Sequence, residues 1–184
     1  MLNTLIRWRI AAFERRYGYD AGYLHELLRM SRGGFFRFAR ATALAQHRQD
    51  LPLAAWYAAK LVATRAEDCG PCTQLVVDMA REEGVSDAVL NALLRDELEA
   101  LDPDTALAGR YARAVVSHAP ELGELIESVH QRWGDRGLAS LALTVTGTRL
   151  YPMLKYALGH GRACQQVRVG DSTGSLVSLP RHAA

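Results

Sequence analysis

Apolar residues recur along this chain at intervals of three and four, the period of a helix, not the alternation of a half-buried strand. Residues 87–101, DAVLNALLRDELEAL, set Val89, Leu90, Leu93, Leu94, Leu98 and Leu101 on one face. Ser86 or Asp87 is placed to cap the start, and the helix is expected to run to Asp102, because Pro103 follows. Asp102-Pro103 is also a start signal: an acceptor side chain, then Pro at the first helical position. The helix it opens carries Leu107, Tyr111, Ala114, Val115 and His118. Pro120 opens another, with Leu122, Leu125, Ile126, Val129 and Trp133 as its stripe and Gly134 as its expected stop.

Residues 138–163 read as a further helix, which Pro152 is expected to kink or divide. Upstream, the pattern predicts helices at 2–16, 21–30, 33–47 and 51–66. From Gly170 onward the chain turns to Gly, Ser and Thr with no period, which reads as a mobile tail. The expected fold class is therefore all-α. It is organised as an N-terminal helical extension (1–48) packed on a core (49–169), with a tail (170–184).

Composition changes this picture little. The 184 residues are 49% apolar and 23% charged, ordinary for a globular protein large enough to bury a core. The net charge is +2, so the total gives no argument for nucleic acid. The first 48 residues hold nine arginines against three acidic residues, but no groove-reading motif accompanies them. The longest apolar run, LPLAAWYAAKLVA, is 13 residues and contains Lys60, short of the roughly 18 a membrane span needs. The N-terminus interrupts its apolar stretch with arginines, unlike a signal peptide. The expectation is a cytoplasmic protein with neither membrane nor nucleic-acid partners.

Chemistry concentrates in RAEDCGPCTQLVVDMA, residues 65–80. One apolar stripe ends at Arg65-Ala66-Glu67-Asp68 and a new one starts with Leu75, Val76 and Met79, so Cys69 and Cys72 fall at the head of a helix. Pro71 agrees, because Pro is tolerated in a first turn. Helix starts favour the thiolate, and the i, i+3 spacing brings the two sulfurs close enough to form a disulfide. The tetrapeptide CGPC is that of thioredoxin, but a helical pattern precedes it where thioredoxin has a strand.

The order of elements resembles the carboxymuconolactone decarboxylase / alkyl hydroperoxidase D superfamily. A helix (LPLAAWYAAKLVATRAED) leads into CGPC, a Gly-containing turn (EEG) follows, then a short helix (VSDAVLNALL), and DPDTALAGRYARAVV beyond it. The resemblance covers roughly residues 50–165 and implies an all-α, AhpD-like domain with extra N-terminal helices. It implies Cys72 as the attacking thiol and Cys69 as the resolving one, a hydroperoxide substrate, a reducing dithiol partner and a homo-oligomer. Simple CxxC logic suggests the reverse order of attack. Hydroperoxidase members carry a Glu twelve residues before the first cysteine and a His four after the second. Here those places hold Tyr57 and Val76.

Glu67 is a candidate substitute base, and otherwise a solvated charge. Tyr57 is a candidate supporting residue that could relay a proton only through its high-pKa hydroxyl, and otherwise reads as an aromatic at the edge of the core. Thr73 and Gln74 read as exposed helix polars able to donate hydrogen bonds. A zinc site would need His160 and Cys164 to join the pair. His160 reads more simply as a helix C-terminal residue and Cys164 as a small buried hydrophobe, so neither a metal nor any cofactor beyond a redox-active disulfide is expected. The leading expectation is a cysteine-based thiol oxidoreductase, reducing a hydroperoxide or exchanging protein disulfides. The alternatives are a non-enzymatic helical oligomer or redox sensor, and a decarboxylase-type activity.

Overall fold

The central element of the protein is a helix with no solvent face. In the computed structural model, which describes residues 2–161, 166–170 and 176–178, α4 (Leu53–Arg65) is buried at every position from Ala55 to Arg65. Its small residues, Ala55, Ala58, Ala59 and Ala63, let neighbours pack close on all sides. Those neighbours are α5 (Gly70–Glu82), α6 (Asp87–Arg95), α7 (Pro103–Ser117) and α8 (Leu122–Ala157). Ahead of them lie α1 (Leu2–Tyr17), α2 (Gly22–Met30) and α3 (Arg32–Thr42), the last continued by a 3-10 turn at Ala43–Gln46. The described residues are 78% helical. Two three-residue strands, β1 (Gln166–Arg168) and β2 (Leu176–Ser178), pair antiparallel with Val167 opposite Val177. The tail expected from Gly170 otherwise lies outside the described residues.

Local signals place the elements. Ser86 caps α6 by accepting the Val89 N–H at 3.4 Å. Asp102 caps α7 by accepting the N–H groups of Asp104 and Thr105, each at 3.1 Å. Two expectations need correction, the end of α6 and the division at Pro152. The α6 helix stops at Arg95, not near 101, because Asp96 takes a left-handed turn (φ 63°). That turn swings Leu98 inward to pack against Gly109 of α7. The stop expected at Gly134 is present, since α8 is two helices joined across a kink at that residue. Gly134 leaves helical geometry (φ 65°, ψ −170°), a region open to glycine alone, and the helix resumes at once. Pro152 does not divide α8, whose backbone stays helical there. The helix ends at Ala157, and Gly159 (φ 76°) turns the chain away.

Polar groups on α8 tie it to α4 and the loop before it. The Thr144 hydroxyl accepts the Trp56 indole N–H at 2.8 Å. The Ser140 hydroxyl accepts the Gln49 N–H at 2.9 Å and donates to the Gln49 carbonyl at 3.1 Å. The N-terminal helices close the other side through a second cluster. Ile10, Tyr19, Ala21 and Tyr23 are buried there, with Leu75 of α5 and Leu154 of α8 packed on them.

Candidate functional site

The turn from α4 to α5 sets the cysteines. Asp68 adopts a left-handed conformation (φ 49°), which its short polar side chain tolerates, and its carbonyl accepts the Tyr156 hydroxyl at 2.8 Å. Cys69 is the residue just before α5, and Cys72 lies in its first turn with Pro71 between them, as expected. Thr73 closes the turn, its N–H and hydroxyl both donating to the Cys69 carbonyl at 2.9 and 3.0 Å. The two cysteines are joined as a disulfide, Cα atoms 5.3 Å apart. Both are buried, Cys69 1% and Cys72 4% exposed.

Burial does not close off Cys72. Its sulfur stands 3.7 Å from the Tyr19 hydroxyl, and the residue lines a cavity of about 320 Å³. That cavity lies between the N-terminal extension and α4, α5 and α8. Ile10 and Phe13 of α1 form one wall, Tyr19 and Tyr23 another, and Leu75, Val76 and Met79 of α5 continue from Cys72. Tyr151 and Pro152 of α8 complete it. The Tyr19 hydroxyl lies 3.5 Å from that of Tyr23, and the buried Lys155 ammonium sits over the Tyr19 ring at 4.3 Å. Burial pushes the Tyr19 phenol up to about 12, so it stays protonated across the neutral range and can only donate or share its proton.

The residues singled out by sequence separate on this map. Tyr57 is not at the core's edge. It is 1% exposed, lines the cavity, and donates its hydroxyl to Glu83 Oε1 at 2.7 Å. Burial and that carboxylate hold its phenol protonated well above the usual range. Val76 lines the cavity as well. Glu67 is not a solvated charge, because it is ion-paired with Arg149 of α8 and its side chain is only 16% exposed. Thr73 is buried, not exposed. Gln74 is half-buried and does more than donate. Its amide accepts the Arg168 N–H at 2.7 Å and donates to the Arg168 carbonyl at 2.9 Å and to Asp78 at 2.9 Å, holding β1 against α5. His160 Nε2 lies 2.7 Å from Glu26 Oε2. Cys164 lies outside the described residues.

Sequence reasoning missed Tyr19, Thr148 and Lys60. Lys60 is 5% exposed and also lines the cavity, its ammonium 3.4 Å above the Trp56 ring centroid and 5.1 Å from that of Tyr57. Burial pushes it down to about 8, Glu83 opposing the fall and Arg48 adding to it. Its signal was in plain sight, as the one charge in a 13-residue apolar run. Thr148 of α8 lines the same cavity, and its buried hydroxyl has no hydrogen-bond partner among the described residues. Among the described residues no group of His, Cys, Asp and Glu is arranged to hold a metal ion, and no helix is long and apolar enough to cross a membrane.

Comparison of the chain with family models, with curated proteins and with solved structures finds no match. The functional reading therefore stands on the residues themselves.

Proposed function

We propose that this protein is a thiol oxidoreductase that works through Cys72 and Cys69 and belongs with the alkyl hydroperoxidase D-like helical proteins. The observation that carries the reading is the placement of Cys72. It joins a vicinal partner at a helix start, faces a hydroxyl donor, and opens onto an apolar cavity able to hold a substrate. A site of this kind, a mostly apolar hollow with a few convergent polar groups, is the usual form of a small-molecule site.

The cycle begins with the reduced pair. The Cys72 thiolate attacks the distal oxygen of a hydroperoxide, forming an S–O bond and breaking the O–O bond. The alkoxide leaves and takes a proton to become the alcohol. The Cys69 thiol then attacks the Cys72 sulfenic sulfur, closing the disulfide and releasing water. An external dithiol exchanges with that disulfide, becoming oxidised as the pair is reduced. Tyr19 holds the thiolate and the departing oxygen by hydrogen bonding, but its raised pKa makes it a poor proton source. With Tyr57 and Val76 in the relay positions, peroxide turnover is slow, since a general acid is typically worth about 10²–10⁴-fold. Exchange with a protein disulfide, whose leaving thiolate needs no proton, suffers less. Self-association through helical faces accompanies this reading and is checked by light scattering at micromolar concentration.

The test is consumption of cumene hydroperoxide with dithiothreitol as reductant. Cys72→Ser abolishes it. Cys69→Ser, exposed to the hydroperoxide without dithiothreitol, consumes one equivalent and leaves a sulfenic acid that dimedone traps. Unchanged consumption by Cys72→Ser sinks the reading. A second reading, a redox sensor that switches without turning over substrate, is favoured by the near-complete burial of both cysteines. It predicts that the pair equilibrates with dithiothreitol while hydroperoxide goes unconsumed.

A further inference from the structure

The cavity is apolar along most of its surface, yet it is not electrically neutral. Arg9 and Lys60 are the charged residues on its lining, and no carboxylate side chain lines it among the described residues. Arg9 is exposed, while Lys60 is deep. A buried ammonium is ordinarily paired with an acceptor, because an uncompensated charge in a low-dielectric interior is costly. Lys60 has no hydrogen-bonded acceptor among the described residues, and the faces of Trp56 and Tyr57 lie against it. Glu83, whose charge acts on it, already accepts the Tyr57 hydroxyl. Thr148 adds a second polar vacancy, since its buried Oγ1 makes no hydrogen bond among the described residues. One turn on, Pro152 has no N–H to give the Thr148 carbonyl.

We infer that this cavity is a binding site for an amphipathic carboxylate, an apolar chain or ring ending in one carboxylate, anchored by Lys60 with Thr148 as a second hydrogen-bonding group. The aliphatic and aromatic walls take the body of the ligand, and Lys60, the deep ammonium on the lining itself, takes a single negative charge. A cationic ligand would meet like charge. A doubly charged phosphate would surrender its hydration to an apolar wall with one deep cation to answer it. The lining also holds Cys72, so a ligand seated on Lys60 shares its chamber with the sulfur. As a substrate class, a hydroperoxide or disulfide borne on an apolar acid, this inference rests on the dithiol chemistry proposed above. As a binding site it does not.

Binding is measured on the oxidised protein, where no turnover takes place. Octanoate and decanoate are titrated by calorimetry beside 1-octanol and 1-decanol, which keep the apolar body and lack the charge. The wild type is expected to bind each carboxylate about tenfold more tightly than its alcohol, the worth of a charge-assisted hydrogen bond in a partly dry site. Lys60→Met removes that preference and keeps alcohol binding, which shows that the cavity is intact in the variant. Equal affinity of acid and alcohol for the wild type overturns the inference, as does a preference that persists in Lys60→Met. Absence of binding by both series overturns it as well. In each of these cases hydroperoxide consumption that depends on Cys72 still stands or falls on its own assay.

Discussion

The Tyr19 hydroxyl reaches across from the N-terminal extension to within 3.7 Å of the Cys72 sulfur. Once the disulfide is reduced, that sulfur becomes the natural acceptor for the phenol. Hydrogen bonding to a charged acceptor stabilises it by about 1.5–3 kcal/mol. Tyr19→Phe, made in a Cys69→Ser background to isolate Cys72, is expected to slow its alkylation by iodoacetamide at neutral pH about three- to tenfold. Equal alkylation rates would show that the hydroxyl contributes nothing to the thiolate.

Lys60 gives the fold a pH dependence of definite sign. Its ordinary value is 10.5, and in the folded protein burial brings it to about 8. Between those values the unfolded chain holds more protons than the native one, so stability rises as the pH rises. The penalty is fully present below pH 8 and vanishes above 10.5. Each unit of difference is worth about 1.4 kcal/mol, and the cation–π contact with Trp56 offsets up to ~2 kcal/mol. Urea unfolding of the wild type and Lys60→Met is expected to show the wild type gaining ~1–3 kcal/mol on the variant between pH 7 and 10.5. A flat difference across that range would mean that Lys60 is solvated in the native state.

Gly147 marks the closest approach of α8 to the 3-10 turn before α4. A Cβ at this position would meet the Ala45 backbone nitrogen at 2.4 Å. Backbone cannot rotate aside as a side chain does, so Gly147→Ala must push the two elements apart. The expected loss is about 1–3 kcal/mol, read from the thermal or urea midpoint. Alanine's better helix propensity would otherwise favour the substitution by up to ~1 kcal/mol, which makes the sign of the result decisive.

Gln74 holds β1 by both main-chain groups of Arg168. Gln74→Ala removes that pairing and leaves the Cys69–Cys72 turn untouched. Amide exchange at residues 166–168 is expected to speed up about tenfold, while the amides of α4 keep their protection. Unchanged exchange would mean that the strand is held by its hydrophobic contacts, with Val167 buried in the core.

The helical architecture was legible because periodicity and caps are local. Ser86 and Asp102 announced starts that the structure reproduces. What failed was tertiary. Asp96 ends α6 early so that Leu98 can bury against Gly109, a contact no local pattern encodes. Gly134, by contrast, was legible as a stop, because the conformation that breaks the helix there is open to glycine alone. The cysteine pair was legible from four residues. Its chamber was not, because Tyr19 and Lys60 converge on it from elements 41 residues apart in sequence, and only packing brings them together. Glu67 was misread for the same reason, its partner Arg149 lying on α8.

The walls formed by Ile10, Phe13, Tyr19 and Tyr23 belong to the first 23 residues of the chain. The chamber onto which Cys72 opens is therefore finished by the extension, so a chain that lacked those 23 residues would keep the dithiol and lose a wall of its surroundings.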